Sequence, residues 1–315
     1  YNKALAKDKR RNVAFAIVIL QRRLASSTYA LLKSLERRKK RLEKLLEHLE
    51  DERLRPDDLG IEDFEVIEDM SEEERWKEEE MQESVSVAED RDELRKEIET
   101  INRLIAQAKE IIENERELKL TQLKKALEEL RNKYPDPDDK KVVIFTESKD
   151  TMEYLDKKIR SWGYTTTTIH GGMKLEKRVE AEGIFKSQAQ VLVATEAAGE
   201  GINLQFCHLM INYDIPWNPN RLEQRMGRIH RYGQTKEVYV INLVAEDTRE
   251  GKVLKRLFDK LDEIRKELGD KVFDVLGDII RDRNLAQLLL EAAVNARSTD
   301  EIIRSSIDTI ADKDY

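Results

Sequence analysis

The chain has 315 residues, of which 39% are charged and 6% aromatic, so it can form two or three domains with much exposed helix around modest cores. Its single cysteine excludes an internal disulfide and predicts a reducing, cytoplasmic environment. The longest apolar run is roughly half the length that crosses a bilayer, and the four histidines lack the spacing of zinc ligands. We therefore expect no membrane association and no metal site.

Charge is distributed unevenly along the chain. Residues 1–50 hold 14 Lys/Arg and 5 Asp/Glu, whereas residues 51–100 hold 7 and 22, within a net charge of -8. The basic first segment permits nucleic-acid binding, but the overall charge does not by itself predict it.

Two heptad seams occur in the first part of the chain. The first takes steps of four and three over residues 24–49, and six of its eight positions are leucine. The second runs over residues 94–112, slips by four residues like a stutter, and resumes over residues 120–130. Seams of this period predict coiled-coil-like helices. We predict an antiparallel helical hairpin over residues 1–133 with an acidic tip at about 51–90, which is either a structural spacer or an arm that docks a protein partner.

Pro135 and Pro137 break any helix and mark the next boundary. Beyond them, β-rich runs alternate with helical segments. The predicted strands are 141–146, 165–170, 191–195, 208–214 and 237–244, and the helices between them are about 149–161, 174–186 and 219–231. Little alternation inside the strands predicts an α/β fold with a parallel sheet covered on both faces. The sheet lobe is predicted over residues 134–247 and a C-terminal helical extension over residues 248–315.

Ligands of such a sheet meet the loops at the carboxyl ends of its strands. The loops after the first four predicted strands contain "TES", "HGGM", "TEAAGEGINL" and "DIPWNPN". Glycines, hydroxyls and helix N-termini in these loops are suited to binding phosphate. Gly171 and Gly172 either allow a backbone or phosphate to approach closely or form a plain turn, and Trp217 is either core or a stacking surface.

The stretch "RLEQRMGRIHRYGQ", residues 221–234, is a stronger signal. Arg225, Arg228 and Arg231 recur every three residues on a predicted helix. A guanidinium is always charged and can bind two phosphate oxygens at once, so this spacing predicts an anion site. The alternative is that the arginines pair with Glu223 or other surface acids.

Four motifs together resemble the second motor lobe of superfamily-2 helicases. They are "VVIFTESKDT", "IHGGM", "VLVATEAAGEGINLQ" and "INYDIPWNPNRLEQRMGRIHRYGQ", in the order and at the spacings of that lobe. The "WNP" and "HRYGQ" elements resemble the Swi/Snf-type branch, especially prokaryotic members similar to the RNA-polymerase-associated ATPase. The resemblance covers about residues 141–245. It implies a RecA-like lobe, preceded by a helical protrusion, in an ATP-dependent translocase of double-stranded DNA.

The resemblance also implies roles for individual positions. Arg228 and Arg231 match arginine fingers, which reach the γ-phosphate of ATP held by the other lobe. A second group matches motifs near the nucleotide, or motifs that couple it to nucleic acid: Gly199, Gly201, Asn203, Gln224 and Arg225. A third group matches positions along the nucleic-acid track: Thr146, Ser148, His170, Gly171, Gly172, Thr195, Trp217 and Asn218. Many helicases have Asp where Asn203 stands.

The P-loop of the family's first lobe, G-x-x-x-x-G-K-[ST], does not occur in this sequence. We therefore expect ATP with Mg²⁺ to be bound mainly by an upstream lobe, and this chain alone to show no ATP turnover. Two alternatives stay open. One is a non-catalytic module that docks a protein such as RNA polymerase, and the other is an RNA helicase of the same superfamily, which the "WNP" motif disfavours.

Overall fold

The computed structural model describes residues 16, 18–48, 70–82, 88, 91–134, 136, 139–196, 202–230, 234–268, 288–289, 291–292 and 298–308. The chain forms two compact units, the first ending at Glu117 and the second beginning at Leu118.

The first unit is helical. Residues 18–26 are helical and are followed by α1 (Thr28–His48), α2 (Glu72–Gln82) and α3 (Arg91–Glu113). The apolar face of α3 packs against that of α1, and each buried Leu or Ile contributes about 1.5–3 kcal/mol. The buried cluster consists of Leu32, Leu35, Leu42, Leu94, Ile98, Ile101, Ile105 and Ala108.

Helices α1 and α3 run in opposite directions. The backbone N–H of Thr28, at the start of α1, donates to Oε1 of Glu117, just beyond α3, over 2.7 Å. Further along α1, Glu36 pairs with Lys109 of α3 at 3.4 Å. Residues later in α1 therefore contact residues earlier in α3, as in an antiparallel pair of helices. The description of this pair as a coiled coil stays a prediction.

Helix α2 lies in the segment predicted to be an acidic tip, and it contacts basic side chains of its own unit. Glu79 accepts from Arg23 at 2.6 Å and lies 3.5 Å from Arg22. The neighbouring Glu80 pairs with Arg41 at 3.0 Å. The Glu79 side chain is only 6% exposed, so solvent screens its two ion pairs less than it screens a surface pair.

The second unit contains a five-stranded sheet with every strand pair parallel. It begins with α4 (Leu118–Lys133) and continues through β1 (Val142–Phe145), α5 (Lys149–Ser161), β2 (Thr166–Ile169), α6 (Leu175–Ser187), β3 (Val191–Ala194), β4 (Leu209–Asn212), α7 (Pro219–Ile229) and β5 (Tyr239–Asn242). The spatial order is β2-β3-β1-β4-β5, so β1 is central. The α/β class with a parallel sheet, predicted from the sequence, is confirmed.

Both faces of the sheet are covered. Val143 and Phe145 of β1 belong to a core cluster with Phe185 of α6, while the alternate residues Val142 and Ile144 are also buried. Burial of successive residues requires helices on both sides, which is why the strands read as continuous apolar runs. Strand β5 is the exception, because it is an edge strand with partly exposed residues.

Helix α4 continues the second heptad seam but belongs to the second unit. Its buried residues are Leu120, Leu123, Ala126, Leu127 and Leu130. The predicted boundary at residue 133 follows from Pro135 and Pro137, and it stays a prediction.

The described part of the predicted C-terminal extension is helical. Helix α8 (Arg249–Leu268) follows the sheet, and α9 (Thr299–Ile302) continues as a π-helical turn over Ile303–Ile307. Among the residues whose positions are described, no helix combines the length and apolarity that a bilayer crossing requires.

Candidate functional site

Asp214, just after β4, is a hydrogen-bonding centre at the carboxyl edge of the sheet. Its Oδ2 accepts from the hydroxyl of Thr146 and, at 3.2 Å, from the backbone N–H of Glu147. Its Oδ1 accepts from Nζ of Lys119, on α4, at 2.8 Å. The loops after β1 and β4 and the start of α4 are therefore held by one carboxylate.

Two arginines of α7 enter the same region. Nη1 of Arg225 donates to the backbone oxygen of Asp214 at 2.7 Å, and Nη2 donates to Glu147. Arg221, one turn earlier, lies 3.7 Å from Glu147 and 3.4 Å from Glu196. Three cations therefore lie next to three carboxylates at this edge of the sheet. The cations are Lys119, Arg221 and Arg225, and the carboxylates are Glu147, Glu196 and Asp214.

This balance has an energetic consequence. The side chain of Arg225 is 2% exposed and that of Arg221 is 9% exposed. A buried charge is costly unless it is paired, and the cost returns when one partner is removed. Among the described residues, these three cations and three carboxylates next to the first two turns of α7 balance each other in charge.

Thr146 and Ser148, predicted on the nucleic-acid track, are buried. The Thr146 hydroxyl donates to Asp214, and the Ser148 hydroxyl accepts from the Thr151 N–H as the N-cap of α5. Thr195 is also buried, and its hydroxyl has no hydrogen-bond partner among the described residues. Contact of these hydroxyls with nucleic acid stays a prediction.

The residues after β2 form a turn. The N–H of Met173 donates to the carbonyl of His170 at 3.0 Å, and Arg178 of α6 donates to the carbonyls of Gly171 and Met173 at 2.7 and 2.9 Å. Gly172 is exposed, whereas His170 and Gly171 are partly buried. Arg178 thus binds two carbonyls of the turn that was predicted to face a phosphate backbone.

The remaining predicted positions differ in exposure. Asn203 and Gln224 are exposed, Asn218 and Arg228 are partly buried, and Trp217 is 4% exposed. Arg228 lies on α7 three residues beyond Arg225. Gly199, Gly201 and Arg231 lie outside the described residues. The structure therefore brings Thr146 and Arg225 together through Asp214, and the other predicted contacts stay predictions.

The acidic half of this site was not predicted from the sequence. Glu147 occurs in "TES" and Asp214 in "YDIP", but single acids in loops carry no distinctive spacing. Lys119 was assigned to a heptad helix and Arg221 had no role. The available signal was position, because both acids come directly after buried apolar strands.

Gln234 is a second missed residue. Its side-chain amide lies within hydrogen-bonding distance of the carbonyls of Gln205, Cys207 and Ile229, at 3.0, 3.3 and 3.1 Å. Its Oε1 accepts from the Lys236 N–H at 3.1 Å. Gln234 therefore joins the end of α7 to the loop that precedes β4 and to the approach of β5.

Groups with shifted pKa values lie at the opposite, amino end of β4. Burial raises the pKa of the Cys207 thiol to about 12, so this thiol is protonated at neutral pH and unreactive as a nucleophile. Burial also lowers the pKa of His208, with Lys236 acting in the same direction and Asp139 opposing. Among the described residues there is no group of three or more His, Cys, Asp and Glu side chains that could hold a metal ion.

Comparison with known proteins agrees with this architecture. Residues 119–233 match the helicase conserved C-terminal domain. The ATP-dependent helicase YqhH of Bacillus subtilis is 42% identical over 171 residues, which are 54% of this chain and 29% of that protein. The RNA polymerase-associated protein RapA of Vibrio atlanticus is 30% identical over 184 residues, 56% of this chain and 18% of that protein. The ATP-dependent DNA helicase DDM1 of Arabidopsis thaliana is 30% identical over 188 residues, 54% of this chain and 25% of that protein.

The parallel sheet up to β4, with the arginine-bearing helix that follows it, lies in the segment that matches the helicase conserved C-terminal domain. The relatives that match this RecA-like lobe confirm the resemblance to the Swi/Snf-type branch of superfamily 2 that was drawn from the motifs. The chain spans less than a third of the length of these relatives.

Proposed function

We propose that this chain is the C-terminal motor half of an ATP-dependent translocase of double-stranded DNA. Its lobe would supply Arg228 and Arg231 to the γ-phosphate of ATP bound by an upstream P-loop lobe. The observation that carries the proposal is the position of Arg228 on α7, three residues after Arg225, within the segment that matches helicase C-terminal domains. The same proposal includes a cytoplasmic location, in keeping with the single buried thiol.

The chemistry of α7 fits this role. When bound, ATP supplies the phosphoryl group that is transferred to water. A guanidinium provides a planar set of donors and a fixed charge for the oxygens that gain charge in such a transfer. Arg221 and Arg225 neutralise carboxylates of the sheet edge, so we assign the catalytic charge to the later positions of the motif. We assign Mg²⁺ to the upstream lobe, and accordingly expect no ATP turnover by this chain alone.

The nucleic-acid track is proposed along the loops after β1, β2 and β4. Backbone amides and polar side chains there would contact phosphates, so affinity should fall as salt rises. Duplex DNA is proposed because the "WNP" and "HRYGQ" elements are those of the Swi/Snf-type branch, and because one relative is named a DNA helicase.

The test is Arg228→Lys in the full-length protein that includes the P-loop lobe. We expect duplex-stimulated ATP turnover to fall by roughly 10³-fold or more, because a point charge does not reproduce the guanidinium fork. Affinity for duplex DNA, measured by fluorescence anisotropy, should stay within about twofold. Arg249→Lys, an exposed substitution of the same chemistry at the start of α8, is the matched control and should behave as wild type.

Other outcomes separate the alternatives. Near-normal turnover in Arg228→Lys would remove Arg228 from the catalytic role. Stimulation by structured RNA but not by duplex DNA would indicate an RNA helicase. Absence of turnover with every nucleic acid would favour a docking module, an alternative suggested by the name of the RNA polymerase-associated relative.

A further inference from the structure

Glu147 is the residue on which both buried arginines of α7 converge. Its Oε1 accepts from Arg225, and its Oε2 lies 3.7 Å from Arg221. The Glu147 side chain is 13% exposed. Two successive turns of α7 are therefore tied to one carboxylate, which comes directly after the central strand β1.

The surroundings of Arg225 are those of an internal ion pair. Besides Glu147, its guanidinium contacts the backbone oxygen of Asp214 and lies 3.4 Å from Oδ1 of Asn212, and it stands 5.3 Å from the ring centroid of Phe145. Its neighbours are acceptors and an aromatic face, all contributed by the protein. A phosphate would meet the Glu147 carboxylate before it reached this guanidinium.

We propose that Glu147 is a positioning residue. Paired with Arg225, it forms a neutral buried lock that fixes α7 against the loop after β1, and thereby sets the position of Arg228 three residues further along the helix. Arg225 then acts through this pair and not by contact with nucleotide or nucleic acid. The inference rests on the proposed function, because Arg228 must be the group that α7 presents to ATP.

The lock predicts an unusual pattern of mutations. Removing either partner leaves the surrounding group of buried charges unbalanced by one, whereas removing both restores the balance. Coupled residues of this kind are non-additive in a double-mutant cycle. A residue that contacts the transferred phosphate shows the opposite behaviour, since no second substitution replaces its charge.

The experiment compares Glu147→Gln, Arg225→Met and the double variant in the full-length protein. We expect each single variant to lower kcat for DNA-stimulated ATP hydrolysis by at least about tenfold while KM for ATP stays within about twofold, because a misplaced Arg228 is felt mainly in the transition state. The double variant should recover to within about threefold of wild-type kcat. A double variant as slow as Arg225→Met alone would overturn the proposal, because Arg225 would then act directly on a ligand.

The matched control is the exposed pair Lys177 and Glu180 on α6, whose atoms lie 2.6 Å apart with side chains 68% and 57% exposed. Lys177→Met, Glu180→Gln and their combination should leave kcat unchanged, because exposed pairs contribute little. If a single variant of the lock does not fold, Glu147→Asp retains the charge and shortens its reach. We expect Glu147→Asp to fold and to lose at least about threefold in kcat, and an unchanged kcat would contradict positioning.

Failure of the proposed function has its own signature. If the wild-type full-length protein hydrolyses no ATP with any nucleic acid, the motor role is wrong. The Glu147–Arg225 pair is then tested by measuring the free energy of unfolding in urea for the same three variants of the 315-residue chain. The double variant should be more stable than either single variant. Additive losses there would overturn the lock itself.

Discussion

His208 is a buried histidine whose environment opposes its charged form. Its ring meets the edge of Tyr134 with centroids 5.1 Å apart. Burial and Lys236 hold the pKa of His208 below its usual value of 6.5. The folded chain therefore keeps this imidazole neutral at a pH where the unfolded chain protonates it.

This shift predicts a loss of stability on acidification. As pH falls below about 6.5, the unfolded state binds a proton at His208 that the folded state does not yet bind, so the free energy of unfolding decreases. We expect His208→Gln to flatten that slope between pH 7 and 5, by at most about 1.4 kcal/mol per pH unit. Urea unfolding at several pH values measures it, with exposed His230→Gln as the control. A slope unaltered by His208→Gln would contradict the role of this ring.

At the scale of secondary-structure elements, Gln234 joins the end of α7 to the loop that precedes β4. Three carbonyls, those of Gln205, Cys207 and Ile229, face its amide nitrogen. Gln234→Glu keeps nearly the same side-chain shape but replaces the donor nitrogen with an oxygen. That oxygen then faces the three carbonyl oxygens. The last turn of α7 and the loop before β4 would then lose their common donor.

We therefore expect Gln234→Glu to lower the free energy of unfolding by about 1–3 kcal/mol, the cost of unsatisfied buried groups. The measurement is the urea midpoint of the chain at an unchanged m-value. Gln122→Glu, exposed on α4, is the matched control and should change stability by less than about 0.5 kcal/mol. Equal midpoints for Gln234→Glu and wild type would show that this amide does not join the two segments.

The elements of the second unit were predictable for a clear reason. Strands buried on both faces appear in the sequence as apolar runs such as "VVIF" and "VLVA", and their ends fell within a few residues of prediction. The Glu147–Arg225 pair was not predictable, because it depends on how β1 and α7 pack across 78 residues of sequence. A seam likewise shows that α4 has an apolar face without showing which unit covers it.

At the scale of the whole molecule, each compact unit has its own buried core. Deleting residues 51–90 removes α2, and with it the carboxylates that pair with Arg22, Arg23 and Arg41. The buried core of the sheet unit consists of residues of that unit. The effect of this deletion should therefore be confined to the first unit.

We expect hydrogen exchange of β1, β3 and β4 to be unchanged by the deletion, while protection of the helical residues 18–26 falls because Arg22 and Arg23 lose their ion pairs with Glu79. Hydrogen exchange with mass spectrometry reports both units in one experiment. Glu79→Gln is the point control and should reproduce part of the loss in residues 18–26. Faster exchange of the central strands would show that the acidic segment supports the sheet.

The central place of β1 determines when the sheet can be completed during synthesis. Val142 of β1 aligns with Val191 of β3 on one side and with Leu209 of β4 on the other. Both neighbours leave the ribosome long after β1 itself, whereas α1 and α3 can close on each other earlier. A nascent chain that ends before Asn212 must therefore keep one flank of β1 unpaired, and an unpaired strand edge can pair with another chain.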